Sequence, residues 1–342
     1  MKTVDFDYEL PAELIAQVPA EPRDSSRLMI IERHTGTTKH LTFREITQVL
    51  RSGDVLVMNN SRVMPARLLG KKMTTGGSVE IFLLRRLSNE RSWEALVKPA
   101  KSLPVGAKIL LGNANVNTIA EIVAVRPDGL REVSFLDEKV LFELGIIPLP
   151  PYIHTPLGNV ERYQTVYSCH TGSVAAPTAG LHYTKELLHE IRQIGVETLE
   201  TTLHIGLDTF RPVMVEDPRK HHIHCEYGVI SQDVASKISR AKMEGRRIIC
   251  VGTTAVRVLE HVAAKSLNAP LEAFEGWVDS FILPGYKFRI VDAMQTNFHL
   301  PKSSLFMMIC AFAGTELTKR TYLEAKSLEY RFYSFGDAML IL

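Results

Sequence analysis

A chain of 342 residues, 45% hydrophobic and 23% charged, has the balance of a globular protein of about two domains, which excludes disordered, collagenous and coiled-coil classes. A formal net charge of +2 announces no polyanionic partner over the whole surface. The opening MKTVDFDYELPAEL carries acids and no apolar signal core, and the longest strongly apolar stretch, residues 305–313, is too short for a bilayer, so a cytoplasmic protein without membrane contact is expected.

The first segment predicts mixed structure: strands at 28–32 and 40–43 joined around His34-Thr35-Gly36, a short helix at 44–50 and a buried strand at 54–58. The texture then changes. Short β-type runs follow at 66–69, 79–87, 93–98, 107–111, 117–125 and 130–136, separated by Gly76-Gly77, Ser88-Asn89, Pro104-Val105-Gly106, Gly112-Asn113 and Asp128-Gly129. Six short strands without a helical period predict a small barrel or sandwich, and Pro148-Leu149-Pro150-Pro151 closes it. Residues 66–136 hold eleven Lys/Arg against six Asp/Glu, a net of +5, leaving −3 elsewhere. Seventeen random charges scatter by roughly four, so this is a hint toward a polyanion beside the reading of an ordinary solvated face. Lys71, Lys72, Arg85 and Arg86 are its candidate RNA contacts.

Beyond 151 the alternation of helix and strand returns. Helices are expected at 185–194, ended by Gly195, at 232–244, ended by Gly245, and at 255–265, 303–313 and 317–329; strands are expected at 196–205, 247–251 and 277–283. The fold class is therefore α/β: a mixed α/β domain (1–65 and 137–342) interrupted by an inserted small antiparallel β-barrel domain (66–136).

Absences narrow the chemistry. No two glycines are separated by a single residue, so G-x-G-x-x-G is excluded, and G-x-x-x-x-G-K-[ST] and G-x-S-x-G are missing too. Cys169, Cys225, Cys250 and Cys310 are scattered without a C-x-x-C pair, which argues for reduced thiols rather than a disulfide framework or a cysteine–zinc site. His221, His222, His224 and Glu226 cluster but lack a second ligand group, so no metal is expected.

Three segments carry possible chemistry. Gly252-Thr253-Thr254 joins a buried strand to a helix containing Arg257; such a turn can hold an anion or carbonyl oxygen, or be an ordinary threonine cap. The stretch 296–304 collects Asn297, His299 and Lys302 ahead of an apolar helix, more polar groups than the cap at Ser303 or Ser304 requires. The small-residue loop 175–183, with Thr178 and His182, permits close approach of a ligand or makes a compact turn. His204 ends a strand where α/β sheets place ligands; it reads equally as an acid/base group or as a satisfied strand-end histidine.

In order along nearly the whole chain, these segments resemble the S-adenosylmethionine:tRNA ribosyltransferase-isomerases of queuosine biosynthesis. The resemblance rests on Asp5-Phe6-Asp7-Tyr8-Glu9-Leu10-Pro11, Ser26-Arg27-Leu28, Arg62-Val63-Met64-Pro65-Ala66-Arg67, Glu161-Arg162-Tyr163-Gln164-Thr165-Val166-Tyr167, the 175–182 loop and Thr209-Phe210-Arg211-Pro212. It continues through Val251-Gly252-Thr253-Thr254, Pro284-Gly285-Tyr286, the 296–303 stretch, Ala311-Phe312-Ala313-Gly314 and 330–340. It implies a monomeric enzyme that moves the ribosyl part of S-adenosylmethionine, as co-substrate, onto 7-aminomethyl-7-deazaguanine in tRNA. The product is epoxyqueuosine, with adenine and methionine released. That chemistry asks for a base, for which His204 and His299 are candidates. A carboxylate seat falls to Gly252, Thr253 and Thr254 with Arg257 or Lys302, and reading of the modified base to Asn297 and Arg62. Thr178 and His182 are taken as substrate-binding. The pattern departs from the family at Asn60, where an acid is usual, at Asp208, where glycine is usual, and at Tyr183, where phenylalanine is common. The alternatives are a methyltransferase acting on RNA and a non-catalytic RNA-binding barrel; the second is disfavoured because residues 66–136 hold only Phe82, Trp93 and Phe135 as aromatics. His204, Gly252 and the 297–302 loop are expected to converge on one cleft at the carboxyl edge of the sheet.

Overall fold

The structure, a computed structural model, describes residues 1–87, 91–126, 129–206, 212–266 and 270–342. The expected turn at Ser88-Asn89, Asp128, and the positions Asp208, Thr209, Phe210 and Arg211 lie outside the described residues. Internal contacts divide the chain into two compact units, 1–62 with 150–170 and 176–342, and 63–149 with 171–175.

In chain order the strands β1 (Arg27–Glu32), β2 (Thr37–Thr42), β3 (Val55–Asn59) and β4 (Ser61–Val63) come first. Then follow β5 (Arg67–Lys72), β6 (Ser78–Arg86), β7 (Ser92–Lys98), β8 (Lys108–Gly112), β9 (Asn117–Val125), β10 (Arg131–Phe135), helix α1 (Leu141–Leu144) and β11 (His170–Ser173). The remainder is α2 (Lys185–Gln193), β12 (Glu197–His204), β13 (Glu226–Ile230), α3 (Gln232–Met243), β14 (Ile248–Val251), α4 (Thr253–Lys265) and β15 (Phe274–Val278). It ends with β16 (Ala293–Asn297), α5 (Ser304–Ala313), α6 (Thr315–Ser327) and β17 (Ala338–Ile341).

The smaller unit is a closed antiparallel barrel in the order β10-β7-β6-β5-β8-β9. Its strands alternate inside and outside, so Ile109 and Leu111 point inward while Lys108 and Leu110 face out. Leu68, Ile81, Leu83, Val97, Ile122 and Val133 fill the interior with them. Closure removes the free strand edges that a sheet of this size would otherwise expose.

The larger unit is built on nine strands, among the described residues, in the order β15-β13-β12-β3-β14-β16-β17-β1-β2. β12, β3, β14 and β16 run parallel, and parallel strands are covered on both faces. β3, β14 and β16 are accordingly buried at every position. On one face Val57, Cys250 and Met294 pack beneath α3, α4 and α5; on the other Leu56, Ile249 and Ala293 meet α2 and the 43–48 turn. That turn is a 3-10 helix over Phe43–Gln48 rather than the expected helix at 44–50, fixed at its start by a reciprocal Thr42–Glu45 cap. The expected strand at 277–283 is displaced to Phe274–Val278, because Phe281, Ile282 and Leu283 pack on the core from a loop. Glu260, fully buried on α4, accepts from the Tyr286 hydroxyl and from the N–H groups of Arg289, Ile290 and Val291. The loop containing Pro284-Gly285-Tyr286 is thereby wrapped around one carboxylate. No described helix is long and apolar enough to cross a membrane.

Candidate functional site

Because β12, β3, β14 and β16 are parallel, Ile205, Asn60, Gly252 and Asn297 finish at the same edge of the sheet. An open cleft lies there, the place where sheets of this type collect ligands. Thr178 and Ala179 form one wall, Gly252, Thr253 and Thr254 the floor, and Thr296, Asn297 and His299 the opposite wall, with Tyr333 and Ser334 beside them. Among the described residues lining the cleft none is Lys, Arg, Asp or Glu.

The floor differs from a threonine cap. Helix α4 begins at Thr253, earlier than the expected 255, and its cap is Gly252 at φ +85 with no side-chain hydrogen bond. A Cβ there would be strained by its backbone and press on Ala179. No side chain caps the first N–H groups of α4, and its first two residues line the cleft. Thr254 Oγ1 is buried with no protein partner. By contrast α5 carries the ordinary cap, with Ser303 Oγ accepting from Phe306 N at 3.1 Å.

The opposite wall is rigid. Asn297 Nδ2 donates to Tyr333 O at 2.9 Å. Tyr333 holds a left-handed backbone, φ +71, which costs free energy in a non-glycine residue and is typical of functional sites. His299 is tied at three atoms: its N–H donates to the Tyr322 hydroxyl, its carbonyl accepts from the Tyr8 hydroxyl, and Nε2 lies 2.8 Å from Thr296 Oγ1. Burial pushes its imidazole down to about 3, so the ring is neutral at pH 7. His182, behind the 176–182 loop, is pushed down to about 4 by burial, with Asp337 and Asn297 opposing the shift. Its Nδ1 lies 2.7 Å from Ser26 Oγ. Gly180 sits on the Tyr167 hydroxyl so closely that a Cβ would collide with it.

Several expected site residues are elsewhere. His204 does not line the cleft, although the next residue does; burial and then the neighbouring His170 lower its pKa. Arg257 is buried in an ion pair with Glu226, whose other oxygen accepts from Gly206 N at 2.9 Å; it does not line the cleft, and its Nη2 has no protein partner. Lys302 pairs with Asp7 at 2.7 Å. Arg62 bonds Ser168 at 3.1 Å and pairs with Glu161. In the barrel, Arg85 pairs with Glu94 at 2.8 Å and Arg86 with Glu138 at 2.7 Å, Lys72 bonds Ser102, and Lys71 is exposed.

A sequence model described as queuosine biosynthesis protein matches residues 3–341. The S-adenosylmethionine:tRNA ribosyltransferase-isomerase of Dehalococcoides mccartyi strain CBDB1 is 53% identical over the full length of both chains, and that of Clostridioides difficile strain 630 is 51% identical, also full length. The crystal structure of the S-adenosylmethionine tRNA ribosyltransferase of Thermotoga maritima superposes with a TM-score of 0.58 at 37% identity, covering 99% of this chain and all of that one. The chain belongs to the S-adenosylmethionine:tRNA ribosyltransferase-isomerase family.

Within that family frame, one departure has a local reason. Asn60 Nδ2 donates to Glu200 at 3.1 Å and its Oδ1 accepts from Thr202 at 2.8 Å; an acid at 60 would set a second carboxylate against Glu200. Other residues at the cleft escaped the sequence reading. Tyr152, Tyr333 and Ser334 line it, and Gln295, fully buried behind it, has neither amide atom paired. The polar run Gln-Thr-Asn within a segment buried at every position carries the one sequence signal for Gln295.

Proposed function

We propose that this chain transfers and isomerises the ribosyl moiety of S-adenosylmethionine onto 7-aminomethyl-7-deazaguanine in tRNA, giving epoxyqueuosine and releasing adenine and methionine. The observation that carries it is the joining of one cleft, at the carboxyl edge of the sheet, to a family match over residues 3–341. The sulfonium acidifies the carbon beside it, and a base must take that proton. His299 is the better placed of the two histidines, since it lines the cleft and is uncharged at pH 7. With a pKa pushed down to about 3 the ring is a weak base, far below the value near the operating pH that suits proton transfer, so its placement in the cleft is what supports the assignment. The free N–H groups at the start of α4, with the Thr254 hydroxyl, suit the methionine carboxylate. The Asn297 amide, which lines the cleft and is held in orientation by Tyr333, suits recognition of a base edge. A tRNA substrate supports action in the cytoplasm, and the family resemblance is what favours a monomer.

Incubation with precursor-bearing tRNA and S-adenosylmethionine should release adenine and methionine together. Accumulation of S-adenosylhomocysteine without adenine would replace this reading with methyl transfer.

A further inference from the structure

The cleft carries no formal charge on its described lining, yet both expected ligands bring oxyanions. The two cations first expected to meet them, Arg257 and Lys302, are engaged with Glu226 and Asp7. A second, shallow pocket adjoins the cleft, and Ser334 lines both. Its lining includes Arg23, Arg162 and His182.

The two arginines are held by main chain. Arg23 donates to Leu181 O at 3.2 Å and to Glu161 O at 2.9 Å; Arg162 donates to Ala20 O and contacts Glu21 at 3.0 Å. A guanidinium has about five N–H donors, so after two such bonds each retains further donors. Keeping two guanidiniums close together is unfavourable: burial first, and then the Arg162 charge, pull Arg23 down to about 10. The acid that balances Arg162 is Glu21, whose side chain is 76% exposed; such a pair is weak and readily exchanged for a better oxyanion. His182, neutral, closes the inner side.

We propose that Arg23 and Arg162 form an oxyanion subsite beside the cleft, taking a phosphodiester next to the modified base or the carboxylate of the donor. This rests on the proposed function, because that reading supplies both oxyanions. A bidentate arginine fork fits either group, and the shared Ser334 sets the subsite one residue from the cleft wall.

The test uses the full chain, precursor-bearing tRNA and S-adenosylmethionine, with KM for each substrate and the salt dependence of tRNA binding as readouts. If a phosphodiester is the ligand, Arg162→Gln raises KM for tRNA about tenfold or more. It also flattens the slope of log affinity against log salt by about 0.7 to 0.9, while KM for the donor stays. Arg162→Lys restores most of the slope, because a point charge still serves a phosphate. A rise confined to KM for S-adenosylmethionine assigns the subsite to the carboxylate. Arg23 also ties Leu181 to Glu161, so Arg23→Gln is read beside Arg23→Lys and a melting curve. Both KM values within twofold of wild type, with an unchanged slope in Arg162→Gln, overturn the subsite. Wild-type protein that releases no adenine overturns the proposed function instead, so the two failures are distinct.

Discussion

In the barrel, Glu94 receives both Arg85 and Arg126, Glu138 receives both Arg86 and the Trp93 indole, and Arg67 meets Glu80. Among the described residues of that unit, the Arg131 Nε is the buried side-chain donor left without a protein partner. The larger unit is different. Thr165, Tyr167, Tyr183, Thr254 and Gln295 keep buried polar atoms without a protein partner in the 175–183 loop, the cleft or the chain packed behind them, and Ser61, His204, Arg257 and His261 do so as well. Each unpaired atom costs on the order of 1–3 kcal/mol, a penalty a fold retains where a ligand can relieve it. One unit is matched within itself; the other is unfinished around its cleft.

The strongest way to break this contrast is to exchange the expected consequences. His299→Ala should slow adenine release by roughly a hundredfold or more with little change in melting temperature, whereas Trp93→Ala, opening the barrel interior, should cost about 3–5 kcal/mol in chemical denaturation. A His299 variant that unfolds while keeping its turnover would sink the distinction. The next effect is on pH. His182 and His299 titrate near 4 and 3 when folded but near 6.5 when unfolded. Between those values the unfolded chain binds more protons, so stability falls as pH drops below about 6.5, by on the order of a few kcal/mol by pH 4. His182→Gln should flatten that fall in pH-dependent melts; an unaltered profile would show the ring is not buried neutral.

Gln295→Leu should leave stability unchanged or raise it by about 1–3 kcal/mol, since a buried unpaired amide is replaced by an apolar group of similar size. Turnover should drop if that amide serves a ligand. Loss of stability instead would mean the amide is satisfied in the folded protein. The smallest effect concerns the barrel surface. Charge reversal at Lys71, Lys72, Arg85 and Arg86 should weaken tRNA binding only modestly, because Arg85 and Arg86 already have acidic partners. Unchanged affinity across a salt titration would make the barrel a structural insert.

How much of this could be read from the sequence follows from how locally each feature is encoded. The barrel strands announce themselves by alternation, as in Lys108-Ile109-Leu110-Leu111, and by glycine turns. β16 and β17 were missed because a strand buried on both faces has no alternation, and Ala-Met-Gln-Thr-Asn is short and half polar. At the site, Gly252, Thr253, Asn297 and His299 were legible because turn chemistry and polar clustering sit together in sequence. Arg257 and Lys302 do not line the cleft, and the acids they meet, Glu226 and Asp7, are distant along the chain and so invisible to local pattern. Arg23 and Ser334 reach the site only through tertiary packing.

β17 lies between β16 and β1, and it is the link between the β1–β2 hairpin and the other strands of the sheet. Arg27, at the start of β1, meets Asp337, beside β17, across 310 residues of chain. During synthesis the hairpin emerges first, and its hydrogen-bonding edge waits until nearly all of the remaining sequence has been made. Closing so long a loop is slow, and an unpaired edge is a hazard in the interval. The order of manufacture thus runs against the order of assembly, and the time spent half-built is set by the ribosome as well as by the sheet.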